Sequence, residues 1–97
     1  MDYLKRAVAE NPANEDALLE LSKAFDEVGD MEGALRETKR LLMAHPDNVD
    51  GLYNLGAIYA NRNQLDLARQ YWTRAAAGKP DSESGRKARE GLKQIAH

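Results

Sequence analysis

Residues 52–80 read LYNLGAIYANRNQLDLARQYWTRAAAGKP, and residues 18–46 read LLELSKAFDEVGDMEGALRETKRLLMAHP. Laid over each other, the two stretches match in size or chemistry at Leu18 and Leu52, Leu21 and Leu55, Ser22 and Gly56, Phe25 and Tyr59, and Ala34 and Ala68. Pro12, Pro46 and Pro80 stand 34 residues apart, and Asn14, Asn48 and Ser82 follow them at the same interval. A fixed period of this length marks stacked supersecondary units, none of which can bury its apolar side alone.

Each unit reads as a helical hairpin. Within residues 15–28, Ala17, Leu18, Leu21, Ala24, Phe25 and Val28 recur at steps of three and four, the period of an amphipathic helix, and strand-like alternation is absent. Asn14 is placed to cap this helix, with Glu15 and Asp16 at the positive end of its dipole. Gly29 suits the left-handed residue that ends it, and Asp30 caps a second helix over residues 30–44, closed by Pro46. The next unit repeats the plan with Asn48 as cap, Asn63 in place of the turn glycine and Pro80 as terminator. Small residues at 22, 34, 56 and 68 mark where helices approach most closely. A bulky group there, as in Ala68→Leu, is expected to cost about 1 to 3 kcal/mol by overpacking.

The pattern Leu52-x-x-Leu55-Gly56-x-x-Tyr59, then Ala68-x-x-x-Trp72, then Pro80, resembles the tetratricopeptide repeat signature. The earlier copy reads Leu18-x-x-Leu21-Ser22-x-x-Phe25, Ala34-x-x-x-Thr38, Pro46. Leu18 and Leu52 stand where the family often has Trp, and Thr38 stands where a large aromatic is usual, which weakens one packing contact. The resemblance implies an all-α fold: a right-handed α-solenoid of antiparallel helix pairs, about six helices in a single domain. Residues 1–14 match the second helix of a partial repeat, 15–48 and 49–82 are full repeats, and 83–97 read as a C-terminal capping helix with Ala88, Leu92 and Ile95 on one face.

Composition removes several function classes. With 42% hydrophobic and 31% charged residues the chain is too apolar for disorder and too polar to live in a bilayer. It has no cysteine, hence no disulfide framework, thiolate zinc site or cysteine nucleophile. His45 and His97 read as exposed loop and terminal residues, and no phosphate loop, HExxH pair or calcium loop is present. The expectation is a non-enzymatic protein without metal or cofactor. No signal or transmembrane segment is legible, so a cytoplasmic location and no membrane association are expected. The basic run Arg86-Lys87-Ala88-Arg89 lacks an aromatic for stacking on bases, so nucleic acid is not expected as a partner. The net charge of −2 conceals 6 basic against 11 acidic residues in 1–48 and 8 against 5 in 49–97. Such polarity steers charged partners or favours head-to-tail stacking.

In proteins that look like this, the first helix of each pair lines an inner groove that holds a peptide. The resemblance therefore implies partner contacts at Asp16, Leu19, Glu20, Lys23 and Glu27 on one helix, at Asp50, Tyr53, Asn54, Ala57 and Asn61 on the next, and at Lys87 on the third. Leu19 and Tyr53 share a register position and would floor the groove, and Asn54 offers a donor and an acceptor to a peptide backbone. Leu19 and Lys23 stand where a carboxylate-clamping relative would carry Lys and Asn, so chaperone-tail binding of that kind is not expected. Asp16, Glu20, Glu27 and Asp50 favour a basic or mixed-charge peptide. The expected function is a protein–protein interaction module. The alternative is a self-assembling scaffold, a homo-oligomer that uses its open N-terminal helix face.

Overall fold

A computed structural model describes residues 2–96; His97 lies outside them. The described residues form six helices and no strand: α1 (Asp2–Glu10), α2 (Glu15–Glu27), α3 (Met31–Ala44), α4 (Val49–Asn61), α5 (Leu65–Gly78) and α6 (Glu83–Ile95). They fall into two compact units, Met1–Pro46 and Asp47–His97.

The helix ends are set by local chemistry. The side chain of Asn14 accepts from the backbone N–H of Ala17 at 3.0 Å, Asp30 from Gly33 at 2.9 Å, Asn48 from Gly51 at 2.8 Å and Ser82 from Gly85 at 3.0 Å. Each bond satisfies a donor that the first helical turn leaves without an intrahelical partner. α5 differs, because Gln64 provides no side-chain cap. The two hairpin turns pass through the left-handed region at Gly29 (φ 81°) and Asn63 (φ 60°), the residue types that tolerate it.

In the first unit α2 packs along α3 and, over a shorter length, against α1. Leu4, Val8, Leu18, Leu21, Phe25, Ala34 and Leu41 are buried there. At positions where the second unit carries Gly56 and Trp72, the first carries Ser22 and Thr38, both buried. Thr38 Oγ1 donates to the Ala34 carbonyl at 2.7 Å, and the Ser22 and Thr38 hydroxyls are hydrogen-bonded to each other. The contact that an aromatic would have made by area is thus replaced by a satisfied polar pair, which limits the desolvation cost of burying two hydroxyls.

In the second unit α5 packs on both α4 and α6, and α4 also touches α6. Leu52, Leu55, Ile58, Ala68, Trp72 and Ala75 are buried. Full burial of a side chain such as Leu55 stabilises by about 1.5 to 3 kcal/mol relative to leaving it in water. The buried seam of α6 runs through Gly85, Ala88 and Gly91, while Leu92 and Ile95 are half-buried. The reason is size: a Cβ on Gly91 would approach Trp72 Cζ3 to 2.6 Å, so the bulky ring of α5 selects small residues opposite it.

His45 lies in the loop after α3, as the sequence suggested, but is partly covered. It is half-buried at the C-terminus of α3, its Nε2 lies 2.7 Å from the Ala13 carbonyl and its Nδ1 lies 3.9 Å from Glu15 Oε2. Proximity of the α1–α2 turn to the end of α3 creates this contact, which no short-range pattern announces.

Candidate functional site

α4 and α6 lie side by side in the second unit, with residues one repeat period apart facing each other. Ser84 Oγ donates to Asp50 Oδ1, and Lys87 Nζ stands 5.9 Å from the centroid of the Tyr53 ring. Although α6 lacks the repeat signature, it therefore holds the repeat register. Tyr53 is half-buried, not free of the core: its ring stacks on Trp72 with centroids 6.2 Å apart and planes 18° from parallel. Trp72 Nε1–H in turn donates to the Tyr53 carbonyl at 3.1 Å, which fixes the indole against α4.

Around these rings is an open cleft of about 260 Å³, lined by Tyr53, Trp72, Lys87, Glu90, Gly91 and Gln94. Gly91 supplies the close approach that lets the indole form its inner wall. Lys87 also bonds Glu83 Oε1 at 2.8 Å. That hydrogen bond, followed by the charge of Glu83 itself, raises the Lys87 ammonium above lysine's ordinary pKa; slight desolvation opposes, and Tyr53 and Asp50 contribute less. Lys87 is accordingly a fixed cation throughout the neutral range, held over an aromatic face. The arrangement offers an aromatic plate, one cation and the carboxylates of Asp50 and Glu90 within one unit, the Asp50 carboxylate being engaged by the Ser84 hydroxyl.

Of the residues singled out from the sequence, Asp50, Tyr53 and Lys87 come together here. Asn54 and Ala57 are half-buried on α4 and Asn61 is exposed at its end, none of them lining the cleft. In the first unit Asp16, Glu20, Lys23 and Glu27 are exposed on α2, with Leu19 half-buried among them. Trp72, Ser84, Glu90 and Gln94 were not anticipated. Carrying the register into the last helix would have found Ser84, which stands one period after Asp50. Trp72 serves both as a packing residue and as a wall of the cleft.

Two family models, each described as Tetratricopeptide repeat, match residues 1–48 and 39–70. The chain belongs to the tetratricopeptide repeat family. No curated protein matches it. Tetratricopeptide repeats are generally protein–protein interaction modules, and the all-helical architecture is that of a helical repeat. Among the described residues, no helix of this tetratricopeptide protein is long and apolar enough to cross a membrane.

Proposed function

We propose that the chain is a non-catalytic interaction module that takes a peptide of mixed or basic charge at the α4–α6 cleft. The observation that carries this reading is the Tyr53 ring, stacked on Trp72 with Lys87 over it, in a cleft that Glu90 also lines and beside which Asp50 holds Ser84. An aromatic plate of this kind accepts an apolar or cationic side chain, and carboxylates beside it select lysine or arginine in the partner. Asn54, Ala57 and Asn61 extend the contact along α4. Asp16, Leu19, Glu20, Lys23 and Glu27 present a second, mainly acidic row on α2. A cleft that admits one side chain implies binding on the weak, transient side, below about 1,200 Å² of total buried surface.

Trp72 is the chain's single tryptophan, so its emission reports directly on the cleft. Titration with a lysine- and tyrosine-containing peptide is expected to change that emission saturably, to weaken with added salt and to be lost in Tyr53→Ala at unchanged helicity. A saturable change of equal strength in Tyr53→Ala would remove the cleft as the site.

Tyr3 favours a second reading, self-assembly through α1. It is 71% exposed, whereas the residue one period on, Glu37, is 3% exposed, and the residue two periods on, Tyr71, stacks on Tyr59 at 5.8 Å. Sedimentation over a range of concentrations decides it: dimer or higher species lost in Tyr3→Ser support the contact, and a monomer throughout ends it.

A further inference from the structure

Glu37 is a carboxylate in a place where the fold asks for none. In the second unit the same register position is Tyr71, which packs its ring on Tyr59 and meets the structural need by apolar contact. Burying a carboxylate carries a desolvation cost that an aromatic does not incur, so an apolar residue would satisfy the helix pair with less opposition. Glu37 is buried at 3% exposure, and both of its oxygens are occupied: Oε1 accepts from Arg36 Nε at 3.1 Å, and Oε2 accepts from Arg40 Nη1 at 3.2 Å. The two arginines themselves are about half exposed, at 59% and 51%. The buried acid thus acts as a peg that holds two guanidinium heads at the surface, each with N–H groups pointing elsewhere.

What those heads border is an open cleft of about 500 Å³ between α1 and α3, floored by α2. Its apolar wall comes from Val8, Pro12, Leu21 and Phe25. A third cation, Lys5, closes the opposite edge; it and Arg36 sit over the same Phe25 ring, at 5.8 and 5.5 Å from its centroid. Lys5 has no ion pair among the described residues. Three cations and one fully engaged carboxylate leave the cleft positive within a half of the chain that is otherwise strongly acidic. The corresponding positions of the second unit break the set, with Gln70 for Arg36 and Tyr71 for Glu37. The cluster is specific to this hairpin and is not a general feature of the repeat.

We infer that the α1–α3 cleft is a second docking site, which takes an acidic peptide segment by laying an apolar side chain over the exposed Ala9 and Pro12, above the buried Val8, Leu21 and Phe25, and pairing its flanking carboxylates with Lys5, Arg36 and Arg40. The occupant follows from complementarity: the wall accepts an aliphatic or aromatic side chain, and pre-oriented guanidinium forks match carboxylates in two-point geometry. It is distinct in chemistry from the α4–α6 cleft, which is lined by a single cation and a single carboxylate and for which a mixed or basic peptide is proposed. One chain would then hold two segments of opposite charge, a linking role that a single groove does not supply.

The test uses the full chain and three probes: a fluorescein-labelled peptide with two leucines flanked by glutamates, its lysine-flanked counterpart, and inorganic phosphate. The glutamate peptide is expected to bind saturably, to shift the amide resonances of α1 and α3, and to weaken about tenfold in Lys5→Glu. The hydrogen bonds of Glu37 come from Arg36 and Arg40 and not from Lys5, so this variant leaves the buried carboxylate paired. Arg36→Gln/Glu37→Gln/Arg40→Gln, which removes the peg along with the heads it holds, is expected to abolish binding at unchanged helicity. Equal binding in Lys5→Glu, equal binding of the lysine peptide at the same resonances, or no saturable binding of the glutamate peptide would each overturn the proposal. Full displacement of the peptide by millimolar phosphate would also overturn it, because the site would then recognise a bare anion.

Discussion

The indole of Trp72 occupies the space that a side chain on Gly56 would need, since a Cβ built there meets Trp72 Nε1 at 2.5 Å. One repeat earlier the same two positions hold Ser22 and Thr38, whose hydroxyls are hydrogen-bonded. The two hairpins therefore solve one packing problem twice, once with the smallest and the largest residue and once with a polar pair of middling size.

Gly56→Ala tests the first solution against an opposing effect. Helix propensity alone favours alanine over glycine by about 1 kcal/mol, whereas overpacking against a ring that is bonded to the Tyr53 carbonyl costs about 1 to 3 kcal/mol. A lower Tm and a changed Trp72 emission are expected. A raised Tm would show that the indole withdraws freely.

Thr38→Val tests the second, because it keeps the shape and deletes the hydroxyl. The loss of its bonds to Ala34 and Ser22 is expected to destabilise by about 1 kcal/mol in chemical denaturation. Ser22→Ala in addition should cost less than it does in the native background, since its partner has gone; simple additivity of the two changes would disprove the coupling.

Gly29→Ala isolates backbone strain from crowding. Nothing lies within 4 Å of a Cβ built at Gly29, yet its φ is 81°. The substitution is expected to destabilise by about 1 to 2 kcal/mol through the left-handed conformation alone. Asn63→Gly, at the equivalent turn, is expected to act in the opposite direction, and thermal melts of the two variants check both signs.

Lys87 carries a pH signature. Its folded pKa is raised, chiefly by the hydrogen bond to Glu83 and then by that residue's charge. The sign follows from linkage: a raised cation contributes stability that is fully present below lysine's unfolded pKa and is lost as pH climbs through the folded value. The Tm difference between the native chain and Lys87→Met is therefore expected to stay flat across the neutral range and to shrink only in strongly alkaline buffer. A difference that changes near neutrality would assign the effect to another group.

Much of the architecture is written in short-range chemistry. The 34-residue spacing of Pro12, Pro46 and Pro80, the caps Asn14, Asp30, Asn48 and Ser82, and the turn residues Gly29 and Asn63 each act within about four residues of themselves, so the number, order and ends of the helices were legible before any contact was known. The sites were legible only in part. Register alone suggested that Lys87 belongs with Tyr53, but the stacking of Tyr53 on Trp72 and the bond from Trp72 to the Tyr53 carbonyl join residues 19 apart, on different helices. His45 meets Ala13 across 32 residues. The burial of Glu37 was equally hidden: its arginines are sequence neighbours, yet only the packing of α1, α2 and α3 removes its carboxylate from water. Helical periodicity states which face of a helix turns inward; which side chain it meets there depends on volumes and rotamers contributed by distant parts of the chain, and that is decided only when the helices pack.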